Sequence, residues 1–141
     1  MLTQHLKLLA VTFALACSIC SCASSDNKQH TTYPNQVQLT EPGAIPYTPG
    51  KVYIDAIKQI STGASDGLLI SGSFSDGCTH LQAVLHNIED DSLSLKISAW
   101  RNKEAVCTQA LVPFSFIYDK LSSQQLNSYS QVSINGQTYS F

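Results

Sequence analysis

Residues 72–107 read GSFSDGCTHLQAVLHNIEDDSLSLKISAWRNKEAVC, a cysteine-bounded stretch from which the fold can be argued. Between Cys78 and Cys107 lie two apolar-rich segments, Thr79 to Ile88 and Leu93 to Trp100, separated by the polar turn EDDS. In the second, Leu93, Leu95, Ile97 and Ala99 alternate with Ser94, Lys96 and Ser98. That period of two belongs to an antiparallel strand with one wet face. The first segment predicts a strand with Leu81, Ala83 and Leu85 inward. A bridge between the two cysteines closes a loop of roughly 30 residues, worth about 3–4 kcal/mol through the unfolded chain.

Working outward, GLLISGSF predicts a strand with Leu68, Ile70, Gly72 and Phe74 on one face. Glycine on a buried face marks close approach by a ring or another backbone. Further upstream, Val52, Ile54, Ala56 and Ile60 predict a strand, with Ile57 out of phase and a short helix as the alternative there. Downstream, Pro113 within VCTQALVPFSFIY places that strand at a sheet edge or on a bulge, because proline lacks an N–H for the ladder. DKLSSQQLNS predicts one helical turn near Leu121 to Leu126. Asn135-Gly136 lies between alternating runs, the strongest short-range signal for a two-residue hairpin. The register then pairs Val132 with Tyr139, Ile134 with Gln137 and Ser130 with Phe141. Residues 51–141 therefore predict a small antiparallel β-sandwich.

The N-terminal stretch has the look of an address. Lys7 is followed by an apolar run from Leu8 to Ile19, then by small and polar residues. Such a run is too short to span a bilayer, which takes about 20 residues, and matches a signal h-region. Its end resembles a bacterial lipoprotein signal. Ile19-Cys20-Ser21-Cys22 makes Cys22 the acylated residue, and Ala14-Leu15-Ala16-Cys17 keeps Cys17 as the alternative. Acylation at Cys22 leaves Cys78 and Cys107 as the two thiols of the mature chain. An ordinary signal peptide cut near Ala23 is the plainer reading. Residue 23 is not Asp, so the lipoprotein resemblance implies the outer membrane. Residues 1–22 thus read as the signal. Residues 23–50, polar and holding Pro34, Pro42, Pro46 and Pro49, read as a flexible tether whose tail AIPYTPG docks on the domain.

The chain of 141 residues carries eight Lys and Arg, ten Asp and Glu and a net charge of −2. That leaves no basic field for a nucleic-acid partner. Cys78 with His80 or His86 offers a nucleophile and base, but a cysteine pair in an exported domain reads first as a disulfide. On a straight strand the two histidines stand about 20 Å apart, too far to share a metal. Glu89, Asp90 and Asp91 lack the spacing of a calcium loop. No G-x-S-x-G elbow accompanies the serines. Asp55, Asp66 and Asp119 have no recognisable catalytic context. Trp100 and Arg101 remain candidates for an interaction surface. No cofactor or metal is expected.

Three pieces together resemble a group of uncharacterised bacterial lipoproteins with an immunoglobulin-like β-sandwich. They are SGSFSDGCTHL, C-x₅-PF from Cys107 to Phe114, and the terminal YSQVSINGQTYSF. The likeness runs from about Gly67 to Phe141 and departs at Asn127-Ser128-Tyr129, where the group has Gly-Thr-Tyr. It implies a fold and brings no catalytic residues. The expectation is a non-enzymatic envelope lipoprotein, held to the membrane by a lipid anchor, facing the periplasm and binding or bracing another envelope protein. A lipoprotein inhibitor of a lysozyme or protease, using the loop Arg101 to Ala105 or the turn at Glu89, is the alternative. A small hydrolase is the third.

Overall fold

A computed structural model describes residues 32–63 and 65–141. The predicted signal, the acylation candidates Cys17 and Cys22, and the first part of the tether lie outside the described residues. In chain order the elements are β1 (Tyr47–Pro49), β2 (Val52–Ser61), β3 (Asp66–Phe74), β4 (Thr79–Glu89), β5 (Ser92–Asn102), β6 (Val112–Tyr118), α1 (Ser123–Asn127), β7 (Gln131–Ile134) and β8 (Gln137–Ser140). They form two sheets. One is β2-β3-β6, antiparallel throughout. The other has β5 at its centre, with β4 on one side and β1 and the β7-β8 hairpin on the other. β5 and β7 run parallel, and the other pairs of that sheet are antiparallel. The expected all-β sandwich is what the chain forms.

The core lies between the sheets. Leu68, Ile70 and Phe74 from β3 meet Leu93, Leu95 and Ile97 from β5, and Phe114, Tyr118, Leu126, Val132 and Ile134 are among the residues that join them. Each such side chain, moved from water to full burial, contributes about 1.5–3 kcal/mol. Phe74 stacks on Phe114 at 4.5 Å between ring centroids. Gly72 makes that stack possible. A Cβ there would run into the carbonyl oxygen of Tyr53 and stand 3.1 Å from the Phe114 ring.

Two strands depart from simple alternation, for the same reason. A bulge at Asp55 shifts the register of β2 against β3 between Ile54 and Ala56. Ala56 is therefore exposed and Ile57 buried in the core, the opposite of the expected phase, and the strand continues where a helix was the alternative. Ile60 is buried without joining that core. A second bulge, at Gln82, shifts β4 against β5 between Leu81 and Ala83. Leu81 still points inward, but Val84 follows it there, while Leu85 is 64% exposed. The extra residue in one strand inverts every side chain beyond it.

Pro113 stands on the edge strand β6, as expected. Ser115 sends both its N–H and its C=O away from β3, and residue 113 shares that direction by the period of two. The missing N–H therefore removes no bond to β3. That outer side of β6 is covered by residues read from sequence as tether. Ser115 N–H donates to Asn35 O at 2.9 Å, Val37 N–H donates to Ser115 O at 2.9 Å, and the Ser115 hydroxyl donates to Pro34 O at 2.7 Å. Further on, Thr40 N–H reaches Leu81 O at 2.8 Å, and β1 pairs with Trp100 to Asn102. Residues 34–50 are thus a strap across both sheets, and packing begins well before Lys51. A sparse apolar content does not prevent this, because the strap is held through its backbone.

The helical turn forms where predicted. Ser122 caps it, its hydroxyl accepting from Gln125 N–H while the Gln125 side chain accepts from Ser122 N–H. The last hairpin has the predicted register, with Val132 opposite Tyr139 and Ile134 opposite Gln137. Asn135 and Gly136 both take positive φ, 49° and 87°, as a type I′ turn requires.

Candidate functional site

The richest concentration of polar chemistry among the described residues sits where the β3–β4 turn meets the β5–β6 loop. Cys78 and Cys107 are joined, with their Cα atoms 5.5 Å apart. Asp76, two residues before Cys78, is buried. Its Oδ1 accepts from Cys78 N–H and from the Thr79 hydroxyl, both at 2.9 Å. The β4–β5 register sets Thr79 opposite Arg101 and so brings the guanidinium to this turn. Arg101 Nε lies 3.2 Å from Asp76 Oδ2, and its Nη2 donates to Cys107 Sγ at 3.4 Å. Burial works to raise the Asp76 pKa, but the donors from Cys78 and Thr79 and the Arg101 charge outweigh it and hold the carboxyl below its usual range. One carboxylate thus orders the turn, anchors the arginine and, through it, touches the bridge.

The loop fastened there is held on both sides of Val106. Before it, Lys103 N–H donates to Pro46 O at 3.0 Å and Glu104 N–H to Asn102 Oδ1 at 2.9 Å. After it, Cys107 is covalently tied and Gly77 N–H donates to Thr108 O at 3.2 Å. A Cβ at Gly77 would strike the Thr108 hydroxyl, so a side chain there would oblige Thr108 to turn away. Between these anchors Val106 is 102% exposed. Leu111, at the far end of the loop, is also exposed.

The other residues singled out from sequence are placed differently. Trp100 is buried under the strap, its Nε1–H donating to Thr40 O at 2.6 Å, with the His80 ring 4.7 Å away and Tyr47 edge-on at 6.5 Å. His80 pairs with Trp100 and shares its outer face, whereas the Gln82 bulge puts His86 on the inward face of Leu95. Strict alternation along an unbulged strand would put both histidines on one face. His86 Nδ1 instead lies 2.6 Å from the Tyr118 hydroxyl. Burial pushes that phenol above its ordinary range, with a backbone hydrogen bond from His86 offsetting part of the effect. Asp66 is held low by the hydroxyls of Ser123 and Ser61. No group of three or more His, Cys, Asp or Glu among the described residues is arranged to hold a metal ion.

An open depression of about 470 Å³ lies on the sheet around Leu85, Asn87, Ser94, Lys96, Ser133 and Asn135. The Asn135 amide is already engaged there. It accepts from Ile97 N–H at 2.9 Å and donates to Ile97 O at 3.0 Å. The bonds prolong the short parallel ladder of Ser94 with Ser133 and Leu95 with Ile134. Sequence reading assigned Asn135 only its turn.

Asp76 was legible as a turn former but not as the hub of the staple. Its signal was local: an Asp two residues before Cys and three before Thr suits an Asx-type turn. Its partner Arg101 lies across a bulged register that one strand alone does not reveal.

Two sheets, a bridged turn and a terminal hairpin define a disulfide-stapled β-sandwich domain. Residues 68–141 match the model of the ORF11 beta-sandwich domain, just over half of the chain, and the chain belongs to that family. Two similar proteins from Herpetosiphon aurantiacus are described only as uncharacterized 10.2 kDa proteins, in the 5′ regions of HgiBIM and HgiCIIM. The first is 35% identical over 46 residues, covering 33% of this chain and 56% of its own length. The second is 33% identical over 48 residues, covering 34% and 51%. The chain spans about half the length of these curated relatives. No solved structure matches it.

Proposed function

We propose that this chain is a non-enzymatic lipoprotein of the bacterial envelope, whose sandwich binds or braces another envelope protein. Residues 1–22 serve as the signal and Cys22 carries the lipid, with Cys17 the alternative. Ala23 in place of Asp favours the outer membrane, facing the periplasm. The observation that carries the binding role is the covalently fixed loop, which presents Val106 to solvent while both its flanks are fastened. A disulfide also suits an oxidising compartment outside the cytoplasm. The paucity of Lys and Arg, eight in 141 residues, argues against a nucleic-acid partner.

Intact-mass analysis of the protein isolated from membranes, before and after reduction, tests the anchor and the bridge together. The expected mass is that of a chain beginning at Cys22 with acyl groups attached, gaining two hydrogens on reduction. An unprocessed chain, or one lipidated at Cys17, overturns the assignment of Cys22. The same fixed loop favours a second reading, a lipoprotein inhibitor of a hydrolase. Rigid, protruding loops bind without the cost of ordering them in the complex.

A further inference from the structure

We infer that Lys103 to Leu111 is a substrate-like loop that occupies the active-site cleft of a serine endopeptidase with a specificity pocket for small aliphatic side chains, and that Val106 fills that pocket. The inference rests on the second of those readings, the hydrolase inhibitor, and names its class of hydrolase. Three features carry it. Val106 is fully exposed while Ala105 and Cys107 on either side are half-buried, so its short apolar side chain stands clear of its immediate neighbours. Residues 105–109 belong to no helix or strand of the domain, leaving this segment outside both sheets. Extended segments are recognised through their main chain and alternate side chains. The anchors then distribute themselves on the two sides of the Val106–Cys107 bond: Pro46 and Asn102 hold the upstream side, and Cys78 and Gly77 hold the downstream side.

That distribution separates an inhibitor from a substrate. In the protease the serine oxygen bonds to the Val106 carbonyl carbon, and its proton passes to the enzyme's base. The Val106–Cys107 C–N bond breaks, the electron pair stays on the Cys107 nitrogen, and that amine takes the proton. Water then adds to the acyl carbon and releases Val106 as a carboxylate and the serine as its hydroxyl. In an ordinary substrate the amine diffuses away. Here Cys107 is bonded to Cys78 and Thr108 to Gly77, so the amine stays over the acyl carbon at high effective concentration and religation competes with water. The size of valine selects a shallow apolar pocket, the feature that distinguishes elastase-type proteases from trypsin-type ones.

The test uses the full-length protein in detergent against an elastase-type and a trypsin-type serine protease. The expected result is stoichiometric inhibition of the first and none of the second. Val106→Asp weakens inhibition by about 100-fold or more, as loss of a central anchor does. Val106→Arg transfers inhibition to the trypsin-type enzyme. The paired Cys78→Ser, Cys107→Ser variant is cut quickly at residue 106 and no longer inhibits. The contact that Val106 makes with the bridge runs from its carbonyl oxygen to Cys78 Sγ, and the residue is otherwise fully exposed, so changes of its side chain keep the bridge, which non-reducing mass analysis confirms. Absence of inhibition by the unaltered protein overturns the inference, as does rapid cleavage without inhibition, or inhibition that survives Val106→Asp. Acylation and envelope co-fractionation read the binding-module proposal separately. If they hold while inhibition fails, only the assignment of a protease partner falls.

Discussion

Asp76 and Asn135 invite comparison, because each is a short polar side chain in a turn that fixes something beyond the turn. Asn135 does so with a neutral amide that both donates and accepts, bonded to the N–H and C=O of one residue, Ile97. Asp76 does so with a charge, collecting the donors of its own turn and a guanidinium from β5. The amide extends a ladder and is indifferent to acid and to thiols. The carboxylate sits beside a reducible bridge and is sensitive to protons. One end of the sandwich is thus built to keep a register, the other to hold a loop whose fixation depends on conditions.

Cutting the bridge should separate the two ends most sharply. Replacing Cys78 and Cys107 together by serine is expected to lower unfolding stability by about 3–4 kcal/mol, the closure term for a loop of this length. Much of that change acts on the unfolded chain. Denaturant unfolding should therefore show a lower midpoint with a slope no smaller than before, because the unbridged chain exposes at least as much surface. Amide exchange should rise first between residues 103 and 111, while Ile97 at the hairpin end stays protected. Equal loss of protection at both ends would abolish the distinction.

Removing only the charge at residue 76 is the next test. Asp76→Asn keeps the side chain's size but loses the charge-assisted bonds and leaves Arg101 without its counterion, an expected loss of about 1.5–3 kcal/mol at neutral pH. The sign with pH follows from the depressed carboxyl. In the unaltered protein its stabilisation is complete above the unfolded value of about 3.9 and disappears as pH falls through the lower folded value. Asp76→Asn should therefore flatten the acid limb of the stability profile. A variant with the same acid limb as the parent would show that Asp76 does not hold this end by charge.

The comparison also explains what could be read in advance. Alternation along Leu93 to Ala99, the Asn-Gly turn and the Leu121 to Leu126 helical turn are each written in a handful of neighbouring residues, and each appears as expected. The bulges at Asp55 and Gln82 are properties of a pair of strands. A single strand shows only their shadow: Ile57 stood out of phase, and Val84 offered an apolar residue three positions after Leu81. Without the second bulge, His80 and His86 fall on one face. With it they separate, and His86 finds Tyr118. The strap was harder still, because its hold on β6 and β4 is carried by backbone groups that every residue possesses. For the same reason Trp100, which local sequence leaves at a strand end, is buried beneath Thr40.

The smallest expected effect gives the finest test, at Asn135. Asn135→Gly keeps the left-handed backbone and removes both bonds to Ile97, for a loss of about 1–2 kcal/mol. Asn135→Asp keeps the acceptor for Ile97 N–H but turns the former donor into a carboxylate oxygen facing Ile97 O. Two acceptors then oppose one another, which favours the protonated acid and raises the folded pKa of the new residue above its unfolded value. The favourable contribution of that protonated form is fully present below the unfolded pKa and is lost as pH rises through the folded one. Acid should therefore strengthen Asn135→Asp relative to Asn135→Gly, in the direction opposite to its effect on the Asp76 turn. Thermal melts of the two variants at pH 3 and pH 7 read this directly. If Asn135→Asp gains nothing on Asn135→Gly in acid, the amide of Asn135 is not what couples β7 to Ile97, and the register at that end rests on the Ser133 and Ile134 ladder alone.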